Sequence, residues 1–205
     1  MWTEQSIIVR LILMARPKEF ESEAALNEAI ELFSKHGFEG TSTDELLRVM
    51  GISRQSMYDT FGDKRQLYLT SLQYYTARSI SNQIRELSSA TSAAKGLEAV
   101  LDLAVSQAIA DKEPKCLGIS AICEFGRSEP DITMIYDTAS KTLLSAFEQR
   151  ISEAKSSAEI DKGVNVQIAA QFMMATLTGI RVAARAGATP DSLRGIARMA
   201  IRALK

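Results

Sequence analysis

Residues 41–67 constrain this chain more than any other stretch, because they specify two short helices separated by a three-residue turn. Ser42 followed three positions later by Glu45 has the spacing of a capping box, which satisfies the free backbone N–H groups at a helix start. Leu46, Leu47 and Met50 give that helix an inward side, and Gly51 stands where a helix commonly ends on a left-handed residue. Ile52 plugs the turn, and the Ser53 hydroxyl can cap the helix that follows. That second helix turns Met57 and Phe61 inward and leaves Arg54, Gln55, Ser56, Tyr58 and Asp59 on an outer face. Two short helices, a tight Gly-containing turn and a polar outer surface on the second helix make a helix-turn-helix, the major-groove reader of regulators.

Residues 26–69 resemble the N-terminal DNA-binding domain of TetR/AcrR-type transcriptional regulators. The matching pieces are Ala29 to Phe33, Gly37, Phe38, Thr41, Ser42, Leu46, the run Gly51, Ile52, Ser53, then Met57, Tyr58, Phe61, Lys64 and Leu67. Apolar spacing, turn glycines and the ending Tyr58, Phe61, Lys64 coincide, whereas Gly51, Ile52 and Ser53 alone would be weak. The chain departs from the usual pattern at Gln55, Asp59 and Thr60, outward positions that bear on which bases are read. The resemblance implies an all-α fold with a helix-turn-helix three-helix domain, expected over 14–65, and a C-terminal helical ligand-binding and dimerisation domain over 66–205. It also implies that Tyr58 and Lys64 lie against phosphates, with Thr41 adding a hydroxyl or backbone contact of the same kind. Arg54, Gln55 and Ser56 occupy the first turn of the reader helix, where Arg or Gln makes two-pronged contacts with purine edges. Asp59 either accepts from a cytosine amine or stays solvated.

Net charge is −1, and within 14–69 acidic side chains outnumber basic ones, so placement must supply the phosphate contacts. Arg16, Lys18, Arg48, Arg54, Lys64 and Arg65 are expected to gather on the DNA side. Two cysteines make no disulfide framework and suit a reducing cytoplasm. Met1 to Leu13 is apolar but too short to span a bilayer and is broken by Arg10. It lacks the organisation of a secretory signal. Met14 is the expected true start, residues 1–13 a dispensable extension, and the protein cytoplasmic with no membrane partner.

Only four prolines interrupt the rest, which reads as helices throughout. Helix one is expected from about Pro17 to His36, with Leu26, Ala29, Ile30 and Phe33 on one face. A long helix follows from Lys64, and Ser88 to Ala93 is the expected hinge between the two parts. Further helices are expected from Gly96 to Ala110, Cys116 to Arg127, Pro130 to Ala154, Val164 to Ala186 and Pro190 to Leu204, with Lys112 to Lys115 as a break. Ala175, Gly179 and Ala183 recur every fourth residue, a groove that admits another helix. Leu193, Ile196, Ala197, Ala200 and Ile201 form an apolar stripe on the last helix. Such spacing serves packing within one subunit as well as between two. The resemblance favours a homodimer through these two helices, which also suits two half-sites of a palindromic double-stranded DNA operator.

The resemblance further implies a small-molecule effector in the helical body. Cys123, Phe125, Tyr136, Phe147, Met173 and Met174 are the candidate pocket residues, with Met134 a further one, since methionines give adaptable walls. Cys116 and Cys123 lie too far apart on one straight helix for an easy mutual disulfide. No metal site, cofactor motif, phosphate loop or nucleophile elbow is present, and the lone His36 reads as a cap at a helix C-terminus. The sequence therefore reads as a non-enzymatic, dimeric repressor released by a small, largely apolar ligand. The alternatives are an activator of the same fold or a helical protein-binding adaptor.

Overall fold

Side-chain caps and turn glycines set where the first short helices begin and end. In the computed structural model the described residues are 22–110 and 116–205, and they form helices and no strand, in agreement with the all-α expectation. The elements are α1 (22–36), α2 (Thr43–Met50), α3 (Arg54–Phe61), α4 (Lys64–Ser89) and α5 (Ala93–Ala110), then α6 (Leu117–Phe125), α7 (Pro130–Ser156), α8 (Val166–Arg185) and α9 (Pro190–Arg202). The extension expected at 1–13, the start of helix one near Pro17, the cations Arg16 and Lys18, and the break at Lys112 to Lys115 lie outside the described residues.

The chain divides into two compact units, the first ending at Leu72 and the second running from Gln73 to Lys205. In the first unit Leu26, Ala29, Ile30, Phe33, Leu46 and Met57 close a small core with Leu67, Tyr68 and Leu72 from the start of α4. Leu67, Tyr68 and Leu72 carry the unit past residue 65. Tyr68 stacks edge-on to Phe33 (centroids 4.9 Å) and Phe38 (5.2 Å), a favoured aromatic geometry.

The second unit is built around α5, which packs on α7, α8 and α9. Leu97, Val100, Leu101, Phe147, Ile151 and Met173 are fully buried at its centre. The α5 start falls at Ala93, three residues before the expected Gly96, because partners satisfy its first N–H groups. Ser92 Oγ accepts from Lys95 N, and the Glu159 carboxylate accepts from Ala94 N at 3.0 Å. The stretch from Ser88 to Ala93, expected as a hinge between the parts, is instead a short link inside the second unit. Leu87 and Ala93 on either side of it belong to one core. A Cβ at Gly96 would lie 2.3 Å from the Leu87 carbonyl oxygen, so only glycine permits this approach.

Candidate functional site

The helix-turn-helix forms as its sequence prescribes. Ser42 Oγ accepts from Glu45 N, and Gly51 closes α2 at φ 66°, its N–H donating to the Leu47 carbonyl. Ser53 then starts α3 in the same way, accepting from Ser56 N at 3.1 Å. Gly62, at φ 80° and ψ −146°, makes the turn into α4, a conformation a side chain rarely adopts. Asp63 and Gln66 cap α4 reciprocally: Asp63 Oδ1 accepts from Gln66 N at 2.8 Å, and Gln66 Oε1 accepts from Asp63 N at 3.2 Å. The Asp-x-x-Gln spacing was legible in the sequence. It anchors the helix that presents Lys64.

This frame holds the reader side chains in defined places. Tyr58 is 49% exposed on the outer face of α3. Lys64 Nζ sits 4.2 Å above the Phe38 ring, a cation–π contact that steadies the ammonium at the rim of the unit. Arg54 Nη2 donates to Asp44 Oδ1 at 2.5 Å, and Gln55 Nε2 donates to Asp59 Oδ1 at 2.7 Å. All four side chains are exposed, so water screens these contacts and a base edge or phosphate can compete for them. Asp59 is therefore tied to Gln55 one turn earlier. Ser56 has its hydroxyl 2.9 Å from that of Ser53, as part of the cap.

Thr41 stands apart from this group. Expected at the DNA surface, it is 1% exposed, and its hydroxyl donates to the Gly37 carbonyl at 2.6 Å. Its role in this structure is to lock the turn after α1, since a buried hydroxyl engaged in this way is not presented to a phosphate.

In the second unit, residues of α4, α6, α7 and α8 line a partly open cavity of about 120 Å³. Of the expected pocket residues, the structure brings Tyr136 and Met174 to it. Phe147 and Met173 are fully buried in the core instead, and Phe125 is half-buried outside the lining. Cys123 and Met134 are exposed and lie outside the lining. Cys116 is half-buried at the α6 cap position and lines the cavity, where its sulfur accepts from the Tyr75 hydroxyl at 3.3 Å. Tyr136 donates its hydroxyl to the Gly118 carbonyl. Gln83, Ser79, Tyr75 and Arg181, none of them expected from the sequence, also line it, together with Thr76, Ser140 and Thr178.

The small-residue groove and the apolar stripe of the last two helices separate into two faces. Leu193, Ala197 and Ala200, expected between subunits, are buried in their own subunit's core, and Ile201 packs against it. Ala183 is also half-buried against that core. Ala175, Gly179 and Ile196 point outward, and a Cβ added at Gly179 would meet nothing within 4 Å. Ile168, Phe172 and Val182 on α8 extend this outer surface, and Met199 on α9 is 62% exposed. Ile168, Phe172, Ala175, Gly179 and Val182 follow helical spacing, so α8 carries one continuous apolar stripe. This two-sided apolarity makes α8 long and apolar enough to cross a membrane by length and composition alone.

Residues 25–70 match the family model described as "Bacterial regulatory proteins, tetR family". Over 184 residues the chain is 29% identical to an uncharacterized HTH-type transcriptional regulator, YezE, of Bacillus subtilis, covering 88% of this chain and 94% of that protein. It is 25% identical to the HTH-type transcriptional repressor ComR of Escherichia coli, covering 91% and 90%. Among solved structures, a cysteine mutant of the TetR family transcriptional regulator CifR, complexed with a 26-bp double-strand operator DNA, superposes with a TM-score of 0.74 at 22% identity. The match covers 89% of this chain and 96% of that one.

Proposed function

Because the chain belongs to the TetR family and is a DNA-binding transcriptional regulator rather than an enzyme, we propose that it acts as a homodimeric repressor released from a palindromic operator by a small ligand in its helical body. The observation that carries this reading is the double use of α8. Met174, Leu177, Thr178 and Arg181 face the cavity, while Phe172, Ala175, Gly179 and Val182 form the exposed apolar stripe. A molecule filling the cavity presses on the helix that a second copy would grip, which gives occupancy a physical route to the dimer. The α4 helix supplies a second route, since it begins at Lys64 and contributes Tyr75, Ser79 and Gln83 to the cavity.

Coupling between two sites requires that the ligand prefer one arrangement of the dimer over the other, and the effect must be reciprocal. In the reader, Tyr58 and Lys64 contact phosphates, whereas Arg54 and Gln55 exchange their carboxylate partners for base edges and Ser56 stands beside them. Repression is favoured over activation by the name of the ComR relative, which is a repressor. Selection of genomic DNA fragments on the full-length protein, followed by transcription from the recovered promoters, tests the proposal. The expected result is a palindromic site, lowered transcription and relief by a ligand. Failure to retain any double-stranded fragment, or raised transcription from bound promoters, would overturn it.

A further inference from the structure

The cavity has an uneven chemistry that specifies its ligand more narrowly than apolar character does. Most of its wall is apolar, with Ile80, Ile119, Leu143, Met174 and Leu177 among the lining residues. Among the described residues Arg181 is the one charged side chain in that wall, and no carboxylate lines the cavity. Arg181 is half-buried and makes no ion pair or hydrogen bond with any described residue. A second polar group is also unspent. Gln83 is 4% exposed and lines the cavity, and its Oε1 accepts no hydrogen bond.

The orientation of that amide is fixed by its partners. Gln83 Nε2 donates to the Ser79 carbonyl at 3.2 Å and lies 2.9 Å from Ser79 Oγ. A backbone carbonyl can only accept, so the nitrogen must face Ser79 and the oxygen remains for something else. Buried acceptors are almost always paired in native proteins, and an unpaired one calls for an explanation. The neighbouring hydroxyls do not supply it: Tyr75 donates to Cys116, Tyr136 to Gly118 and Thr178 to Met174, and none of those of Thr76, Ser79 and Ser140 is hydrogen-bonded to Gln83 Oε1.

We infer that the effector is a small amphipathic carboxylate: an apolar body of roughly benzene size, an anionic head for Arg181 and a hydroxyl or amine hydrogen for Gln83 Oε1. This rests on the ligand-release reading and narrows it to a chemical class. The volume sets the size of the part that is buried, since a closed apolar cavity of about 150 Å³ holds one benzene and this partly open one measures about 120 Å³. The carboxylate follows from the guanidinium, whose planar fork matches two oxygens in a plane. The donor follows from the acceptor that lacks one.

Calorimetry on the full-length protein with 3- and 4-hydroxybenzoate, the corresponding hydroxybenzamides, benzoate and toluene reads each part separately. At least one hydroxybenzoate should bind about tenfold more tightly than its amide, the weight of one charge-assisted hydrogen bond. Arg181→Gln should abolish the carboxylate-over-amide preference. Gln83→Leu should instead abolish the hydroxybenzoate-over-benzoate preference and keep the carboxylate one. The control Lys141→Gln, an exposed cation on α7 outside the wall, should change neither. Melting followed by circular dichroism confirms that each variant is folded. Neutral compounds that bind and lower operator affinity as well as the acids do would overturn the carboxylate inference and leave ligand release standing. If no compound of either kind binds or releases DNA, both fall.

Discussion

The two units solve opposite surface problems. The first exposes a single large apolar side chain among its described residues, Tyr58, and surrounds it with Arg54, Gln55 and Asp59 on a short, fully capped helix. The second leaves Ile168, Phe172, Val182, Ile196 and Met199 exposed on two adjacent helices. A polar face with one phenol suits a hydrated anionic polymer, where charge and hydrogen bonds give affinity and reading. An apolar stripe of this length suits another protein surface. The contrast teaches that the two faces can be altered separately, since the exposed residues of the reader lie on α3 and those of the apolar stripe on α8 and α9.

The sharpest break in that contrast is between the two faces of the last helices. Leu193→Ala should cost about 2–5 kcal/mol of folding stability, because it empties a site inside the subunit's own core. Urea unfolding checks it. Gly179→Leu should do the opposite. The side chain enters open space in the subunit and replaces a helix-interior glycine, a change worth up to about 1 kcal/mol in the helix's favour. It would then overpack a partner by about 1–3 kcal/mol per site. Sedimentation should show dissociation at concentrations where the unaltered protein is dimeric, with no fall in helicity. A Leu193 variant that loses dimers but not stability would reverse the assignment.

The reader face sharpens the comparison at smaller scale. Gln55→Ala should relax preference at one base position per half-site by about 1–3 kcal/mol, the weight of a good bidentate contact. Lys64→Ala should weaken all sequences alike and reduce the salt slope by about one per subunit. It should also lower stability slightly, since the cation leaves the Phe38 ring. A library of operator variants titrated at several salt concentrations separates the two. Equal loss of specificity in both variants would mean that positioning and reading are not divided this way.

The smallest effect belongs to the α5 cap. The Ser92 side-chain hydrogen bond, followed by the Ala94 backbone N–H, holds the Glu159 carboxyl below its ordinary range. A depressed folded-state value contributes stability above the unfolded value of about 4.3 and loses it as pH falls through the lower folded value. Glu159→Gln should therefore lower the melting temperature slightly at neutral pH. The difference from the unaltered protein should close in acid.

What could be read from the sequence tracks the range of the interactions involved. Ser42 with Glu45, Gly51 and Ser53 act over a few residues, so the helix-turn-helix and its outward face were legible. Thr41 was not, because its burial depends on how the turn after Phe38 folds back on Gly37. In the body, Met173 and Met174 are the same letter side by side, yet one enters the core and the other the cavity, since successive residues point about 100° apart around a helix. Leu193 and Ile196 lie only about 60° apart around α9, yet Leu193 is 2% exposed and Ile196 37%, because Ile196 falls at the edge of the buried face. Gln83 has no sequence signature at all, since a glutamine among serines on a long helix reads as solvated surface. Its role is set by what α6, α7 and α8 place against it.

On the proposed reading the polar face needs the apolar one: one reader grips weakly, and the stripe on α8 brings two together. Affinity for a full operator and for an isolated half-site, measured with the unaltered protein and with Gly179→Leu, tests this most directly. The unaltered protein should prefer the full site by a wide margin, and Gly179→Leu should bind both sites with one low affinity while its melting temperature holds. Full-strength operator binding by a Gly179→Leu protein shown to be monomeric would contradict the claim.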